Sequence, residues 1–258
     1  THAMRLLLLN PNTSEFVTAK VAAGARLAAQ AGTEIVPVTG AFGARVITTR
    51  TEQAIAEHAT LDALAHHADG CDAVVLAVSY DTALRAAREM LAVPVVGITE
   101  AALLTACMLG SRTGVVVFGR RVLPLYQEVA LLHGMAARIA GWRALESTAP
   151  YADGDQSAVD HALVAAVDDL VERDGCEVVV LAGAVMAGVP ERLQARVAVP
   201  LLDGVSCAIP QAEMLVRLGR PKARAGSLAS LPARELVGVG AALQARFGPP
   251  PQPAESAP

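Results

Sequence analysis

Aromatic residues are scarce in this sequence, 3% of its 258 residues, and charged residues are few at 18%. With 53% hydrophobic residues the composition excludes disorder for the body of the chain. So few aromatics mean a core built from Ala, Val and Leu, as in layered α/β proteins. The 21 Lys and Arg residues are scattered and the net charge is −4, which excludes a basic phosphate-binding stripe and argues against a nucleic-acid partner. Long apolar runs are missing too. Leu6–Leu9, Ala73–Val78 and Val178–Ala187 fall far short of the ~18–20 residues of a membrane helix, so no membrane partner is expected. The four cysteines (Cys71, Cys107, Cys176, Cys207) show no CxxC spacing. No secretory signal is evident, and Thr1-His2-Ala3 reads as a cloning remnant before Met4. A reduced, cytosolic chain without disulfides is the expectation. No GxGxxG or GxxxxGK[ST] motif is present, and His58, His66 and His67 read as a solvated helix face rather than a zinc site. Neither a cofactor nor a metal is expected.

What is present is a repeat. Asp69-Gly70-Cys71-Asp72-Ala73-Val74-Val75-Leu76-Ala77 returns as Asp174-Gly175-Cys176-Glu177-Val178-Val179-Val180-Leu181-Ala182. Val93-Pro94-Val95-Val96 returns as Val199-Pro200-Leu201-Leu202, and Met108-Leu109 as Met214-Leu215. Val-rich runs of this length suit strands buried on both faces of parallel sheets. Two similar α/β halves follow.

Strands are expected at Arg5–Leu9, Glu34–Val38, Ala73–Val78 and Val95–Ile98, then at Gly114–Phe118, Trp142–Leu145, Val178–Leu181 and Pro200–Leu202. Helices are expected at Glu15–Gln30, capped by Thr13 or Ser14, and at Thr51–Ala68, Thr82–Leu91, Leu123–His133, Ser157–Arg173 and Pro190–Val197. A last helix over Pro232–Arg246 would return to the first half. The expected division is 4–110 with 228–247 as one subdomain, 111–227 as the other, and 248–258 as a disordered, Pro-rich tail.

In open parallel sheets, ligands bind beyond the carboxyl ends of the strands. The loops there are Asn10–Ser14, Thr39–Phe42, Ser79–Thr82, Phe118–Arg121 and Gly183–Gly188. Asn10, Asn12, Thr13 and Ser14 suit a carboxylate or imide oxygen, although a helix cap with an Asx turn accounts for the same residues. Phe118, Gly119, Gly183, Ala184 and Met186 come from the equivalent loops. Arg120 and Arg121 read as surface basics or as an anion contact.

Asn-Pro-Asn-Thr-Ser after the first strand, with the doubled Val-Val-Leu-Ala strand, resembles the aspartate/glutamate/hydantoin racemase superfamily, in its hydantoin and allantoin racemase branch. Tyr80-Asp81-Thr82-Ala83-Leu84, Val93–Ala102 and Val185-Met186-Ala187-Gly188 extend the match over about Arg5 to Leu215. The resemblance implies two pseudo-symmetric Rossmann-like parallel-sheet subdomains, a cofactor-free active site in the cleft between them, a small carboxylate or cyclic ureide as substrate, and a homo-oligomer. It also implies two cysteines on opposite sides of the substrate that exchange its α-proton, with N–H donors holding the enolate.

Those two positions fall on Val78 and Gly183, and neither side chain can move a proton. Cys71 and Cys176 precede their strands, and Cys107 and Cys207 lie in or beside helices, so all four read as buried small hydrophobes. Candidates to replace the thiols are Tyr80, Asp81 and Ser79. Asp81 is equally a cap for the helix at Thr82–Leu91, and Ser79 has no neighbouring His in its loop. Glu100 and Asp203, after equivalent short strands, orient loops, cap helices or act in catalysis. The expected function is an isomerase or lyase working at a carbon α to a carbonyl through an enolate. The alternatives are a malonate-type decarboxylase, resembling a related branch that retains one cysteine, an inactive small-anion-binding homologue, or a different α/β enzyme such as a hydrolase.

Overall fold

The computed structural model describes residues 3–248; all of the expected tail but Gly248 lies outside the described residues. The first half runs β1 (Met4–Asn10), α1 (Glu15–Ala28), β2 (Thr33–Thr39), α2 (Arg50–His67), β3 (Ala73–Leu76), α3 (Leu84–Met90), β4 (Val95–Gly97) and α4 (Ile98–Leu109). The second runs β5 (Thr113–Phe118), α5 (Leu123–Leu132), β6 (Ile139–Leu145), α6 (Ser157–Asp174), β7 (Val178–Leu181), α7 (Val189–Leu193), β8 (Leu201–Asp203) and α8 (Gly204–Leu218), followed by α9 (Ala241–Ala245). The two sheets have orders β2-β1-β3-β4 and β6-β5-β7-β8, every pair parallel. The duplication read from the repeat is therefore a duplication of topology. Leu6–Leu9, Ala73–Leu76 and Val178–Leu181 are wholly buried, as strands covered by helices on both faces must be. Among the described residues no helix is long and apolar enough to cross a membrane.

The halves are tied by an exchange of helices. α4 leaves β4 and lies against β7 and β8, while α8 leaves β8 and lies against β3, β4 and α1. α4 and α8 also pack on each other. A division at 110 and 227 thus separates each of these helices from the sheet it covers. At the crossing the chains nearly touch: a Cβ on Gly204 would lie 2.7 Å from the carbonyl oxygen of Ile98. Glu213 on α8 is buried and accepts from the Gln30 amide (2.9 Å) and the Thr33 hydroxyl (2.6 Å), pinning α8 to the first half.

Three local expectations change. The last helix is only Ala241–Ala245, packed on α2, because Pro232, Gly238 and Gly240 interrupt its earlier part. The helix expected over Pro190–Val197 ends at Leu193 and tightens into a 3₁₀ turn. Cys71, Cys176 and Cys207 are buried, but Cys107 is only half-buried, its Sγ 3.8 Å from Met135 Sδ.

Because Gly204 sits against the Ile98 backbone, Gly204→Ala forces α4 and α8 apart. The expected loss is about 1–3 kcal/mol, read as a lower urea midpoint with an unchanged slope.

Candidate active site

The carboxyl ends of both sheets face one cavity of about 650 Å³. Its lining includes Asn12, Val78, Ser79 and Tyr80 from the first half and Phe118, Gly119, Ala182, Ala184 and Val185 from the second. Val17, Val46–Thr48, Ala77, Val122, Tyr126, Glu146–Thr148 and Tyr151 complete it.

The turn after β1 shows how a polar loop divides its labour. Asn10 is fully buried, and its Nδ2 donates to Asn12 Oδ1 (2.8 Å), Ser14 O (3.2 Å) and Thr18 Oγ1 (3.0 Å). Ser14 caps α1 through Val17 N (3.3 Å), and the Thr13 amide donates to Ala44 O (3.1 Å). The expectation that Asn10, Thr13 and Ser14 line the cavity is thus corrected: none of the three is in its lining, and the Asn10 amide and the Ser14 hydroxyl oxygen are spent on shaping the turn. Asn12 alone reaches the lining. Its Oδ1 accepts from Asn10 Nδ2 and from Ser14 N (2.9 Å), which sets the amide's orientation and leaves Nδ2 as the donor available to a ligand.

The loops after β3 and β7 are equivalent. Val78 lines the cavity on one side and Ala182 and Ala184 on the other. Gly183 lies between these two alanines with φ of 122°, a conformation that L side chains rarely adopt, and is not itself part of the lining. Met186 is 1% exposed and belongs to the core, so its expected ligand contact is also corrected. Among the described residues the amides of Ser79, Tyr80, Ala184 and Val185 find no acceptor within the chain, and all four residues line the cavity.

Asp81 turns away. Its carboxylate accepts from the amides of Thr99 (2.9 Å) and Glu100 (2.7 Å) at the start of α4, and His133 Nε2 lies 2.9 Å from its Oδ2. His133 Nδ1 is 3.5 Å from Glu100 Oε1, and Glu100 also pairs with Arg88 at 2.5 Å. Burial pushes the Asp81 carboxyl above the usual carboxylate range, while His133 and the two amides pull it down. Asp81 therefore caps α4, not α3, whose N-cap is Ala83 with no side-chain bond. It borders a second cavity of about 420 Å³ that also touches Tyr80 and Arg85. Asp203 plays the matching part on α8, accepting from Ser206 N (2.9 Å) and Gly188 N (3.3 Å), and burial raises its carboxyl too.

The chain has three tyrosines, and all three line the large cavity. Tyr80 donates to Ile47 O (3.2 Å), and its ring lies 5.0 Å from that of Tyr126. Tyr126 is buried, and the Ser79 side chain acts on its phenol against the pull of burial. Desolvation raises all three phenols, Tyr126 most firmly, with the neighbouring rings adding to it and Ser79 opposing. Sequence reasoning passed over Tyr126 and Tyr151. The signal that could have found them was the scarcity of aromatics itself. Glu146 is the one carboxylate among the lining residues; it is exposed and accepts from Arg120 N (2.8 Å). Arg120 points to solvent, and His58, His66 and His67 are exposed.

A model of the Asp/Glu/Hydantoin racemase family matches residues 6–212. A hydantoin racemase from Paenarthrobacter aurescens is 30% identical over 226 residues, 87% of this chain and 96% of the relative. The allantoin racemase from Klebsiella pneumoniae superposes with a TM-score of 0.88 at 31% identity, covering 94% of this chain and 99% of that one. A mutant arylmalonate decarboxylase shares the fold at a TM-score of 0.63 and 18% identity, covering 88% and 98%.

Three raised phenols have a consequence for stability. Unfolded tyrosines ionise at about pH 10, whereas the folded ones keep their protons higher, so stability falls as pH rises through that range. Alkaline unfolding should begin there together with the rise of tyrosinate absorbance, and Tyr151→Phe should move its onset upward.

Proposed function

The chain belongs to the Asp/Glu/hydantoin racemase family, and from that premise we propose that it is a cofactor-independent enzyme acting at a carbon α to a carbonyl through an enolate, formed by loss of CO₂ from a malonate-like acid. The observation that carries this reading is the pairing of amides without an acceptor in the chain with a cavity whose one lining carboxylate, Glu146, is exposed. Ser79 and Tyr80 line the cavity from one half and Ala184 and Val185 from the other, their amides without an acceptor among the described residues, and Asn12 lines it too. Donors so placed suit a carboxylate in the ground state and the second oxygen charge that develops as an enolate forms.

On the resemblance, the positions of the proton-moving thiols fall on Val78 and Gly183, neither of which carries a thiol. The raised phenols of Tyr80, Tyr126 and Tyr151 are poor bases at neutral pH. A carbanion left behind by departing CO₂ needs no base, only a dry, apolar place for the leaving group, which Val78 and Val185 supply. The relatives' names point to cyclic ureides, which present the same carbonyl oxygens to the same donors. A second reading, anion binding without turnover, is favoured by the same amides and the same missing thiols.

The test is incubation in heavy water with 2-methyl-2-phenylmalonate, with 5-substituted hydantoins and with allantoin, followed by NMR. CO₂ release from the malonate supports the proposal. Exchange of the ureide α-proton without CO₂ release makes the chain an isomerase, and saturable binding with neither leaves the anion-binding module. Asn12→Asp keeps the acceptor that orders the turn but removes the donor and adds charge. It should fold normally and weaken anion affinity by at least about 1.5–3 kcal/mol, measured by calorimetric titration.

A further inference from the structure

Gly183 leaves a gap in the proton chemistry that a neighbouring side chain fills. A Cβ built on Gly183 would lie 3.7 Å from the Tyr126 hydroxyl, so the phenol oxygen borders the space that a side chain at position 183 would occupy. With φ of 122° at Gly183, the backbone there is shaped for glycine, not for a residue simply trimmed of its thiol. Tyr126 is 4% exposed, carried on α5, and its ring is braced by that of Tyr80. The Tyr80 hydroxyl is already committed to Ile47 O, which leaves Tyr126 as the phenol beside the β7 loop. Ser79, whose side chain opposes the rise of the Tyr126 pKa, is only half-buried and lines the cavity.

We propose that the Tyr126 hydroxyl is the proton donor of this active site, standing where Gly183 offers no thiol, with Ser79 returning the proton. The proposal rests on the enolate reading above. The C–CO₂ bond breaks and its electron pair passes into the enolate. That pair then forms a C–H bond with the Tyr126 proton, leaving a phenolate. Ser79 donates its hydroxyl proton to the phenolate and takes one from solvent, which restores both groups. A phenol held above its usual range stays protonated at neutral pH, as a donor must, and an enolate is basic enough to take its proton. Val78 has no proton to give, so protonation comes from one face and the product has a single hand.

The test uses the full chain with 2-methyl-2-phenylmalonate as substrate and phenylphosphonate as a stable oxyanion probe. Tyr126→Phe should lower kcat by about 10²–10⁴-fold with KM changed little, and product from the residual reaction should lose its single hand. With [ζ-¹³C]tyrosine the chain gives three signals, assigned by single Tyr→Phe variants, and phenylphosphonate should move that of Tyr126. If Tyr126→Phe is unstable, replacement of the tyrosines by 3-fluorotyrosine lowers the phenol pKa, and the alkaline limb of the pH–rate profile should shift down with it. Wild-type turnover with unimpaired Tyr126→Phe, or with an unshifted limb, overturns the donor and leaves the function standing. A wild type that neither releases CO₂ nor exchanges α-protons overturns the function and the donor with it.

Discussion

The arrangement depends on how two helix N-termini are satisfied at the centre of the molecule. α4 and α8 each cross to the opposite sheet, and each starts in a place with little access to solvent. A helix start has amides without intrahelical partners, and burying them unpaired is costly. α8 solves this within its own sequence, because Asp203 is its N-cap. α4 cannot, because its N-cap is Gly97, so Asp81 supplies the carboxylate from the loop after β3. That loop is bent to make the reach, with positive φ at Asp81 and Ala83. The same bend sets Val78, Ser79 and Tyr80 on the cavity wall.

Asp81 is accordingly a positioning residue. Its carboxylate is fully used by Thr99, Glu100 and His133, a set of partners drawn from both halves. The loop that carries the chemistry is thereby locked to the start of the helix that joins the halves, and the register between the two walls of the cavity is held by bonds that do not touch its contents.

The cavity itself combines apolar walls with a few directed donors. Val78, Ala182, Ala184 and Val185 provide little polarity, while the amides of Ser79, Tyr80, Ala184 and Val185 and the Asn12 Nδ2 have no acceptor within the described residues. In such a setting phenols keep their protons, and the tyrosines of a chain poor in aromatics converge there. A site of this kind is suited to giving a proton to a strong base rather than taking one from a weak acid.

The strands, the duplication and most of the helices were legible in the sequence, because they follow from local pattern: runs such as Val178–Leu181 are strands wherever they are buried on both faces, whereas the exchanged helices α4 and α8 had no range assigned. Also legible were Asn12, Val78, Phe118 and Ala184 as cavity residues, since the ends of parallel strands collect ligands. The roles of Asn10, Asp81, Met186 and Tyr126 were decided only in three dimensions. Asp81 and Tyr126 both follow strands and both carry polar groups, yet one turns to the amides of a distant helix and the other to the cavity. The reason is that a buried polar side chain goes where unpaired partners are. For Asp81 those partners are the amides of Thr99 and Glu100, 18 and 19 residues on at the end of the neighbouring strand β4. The Tyr126 phenol meets the β7 loop through α5, and local pattern shows neither contact.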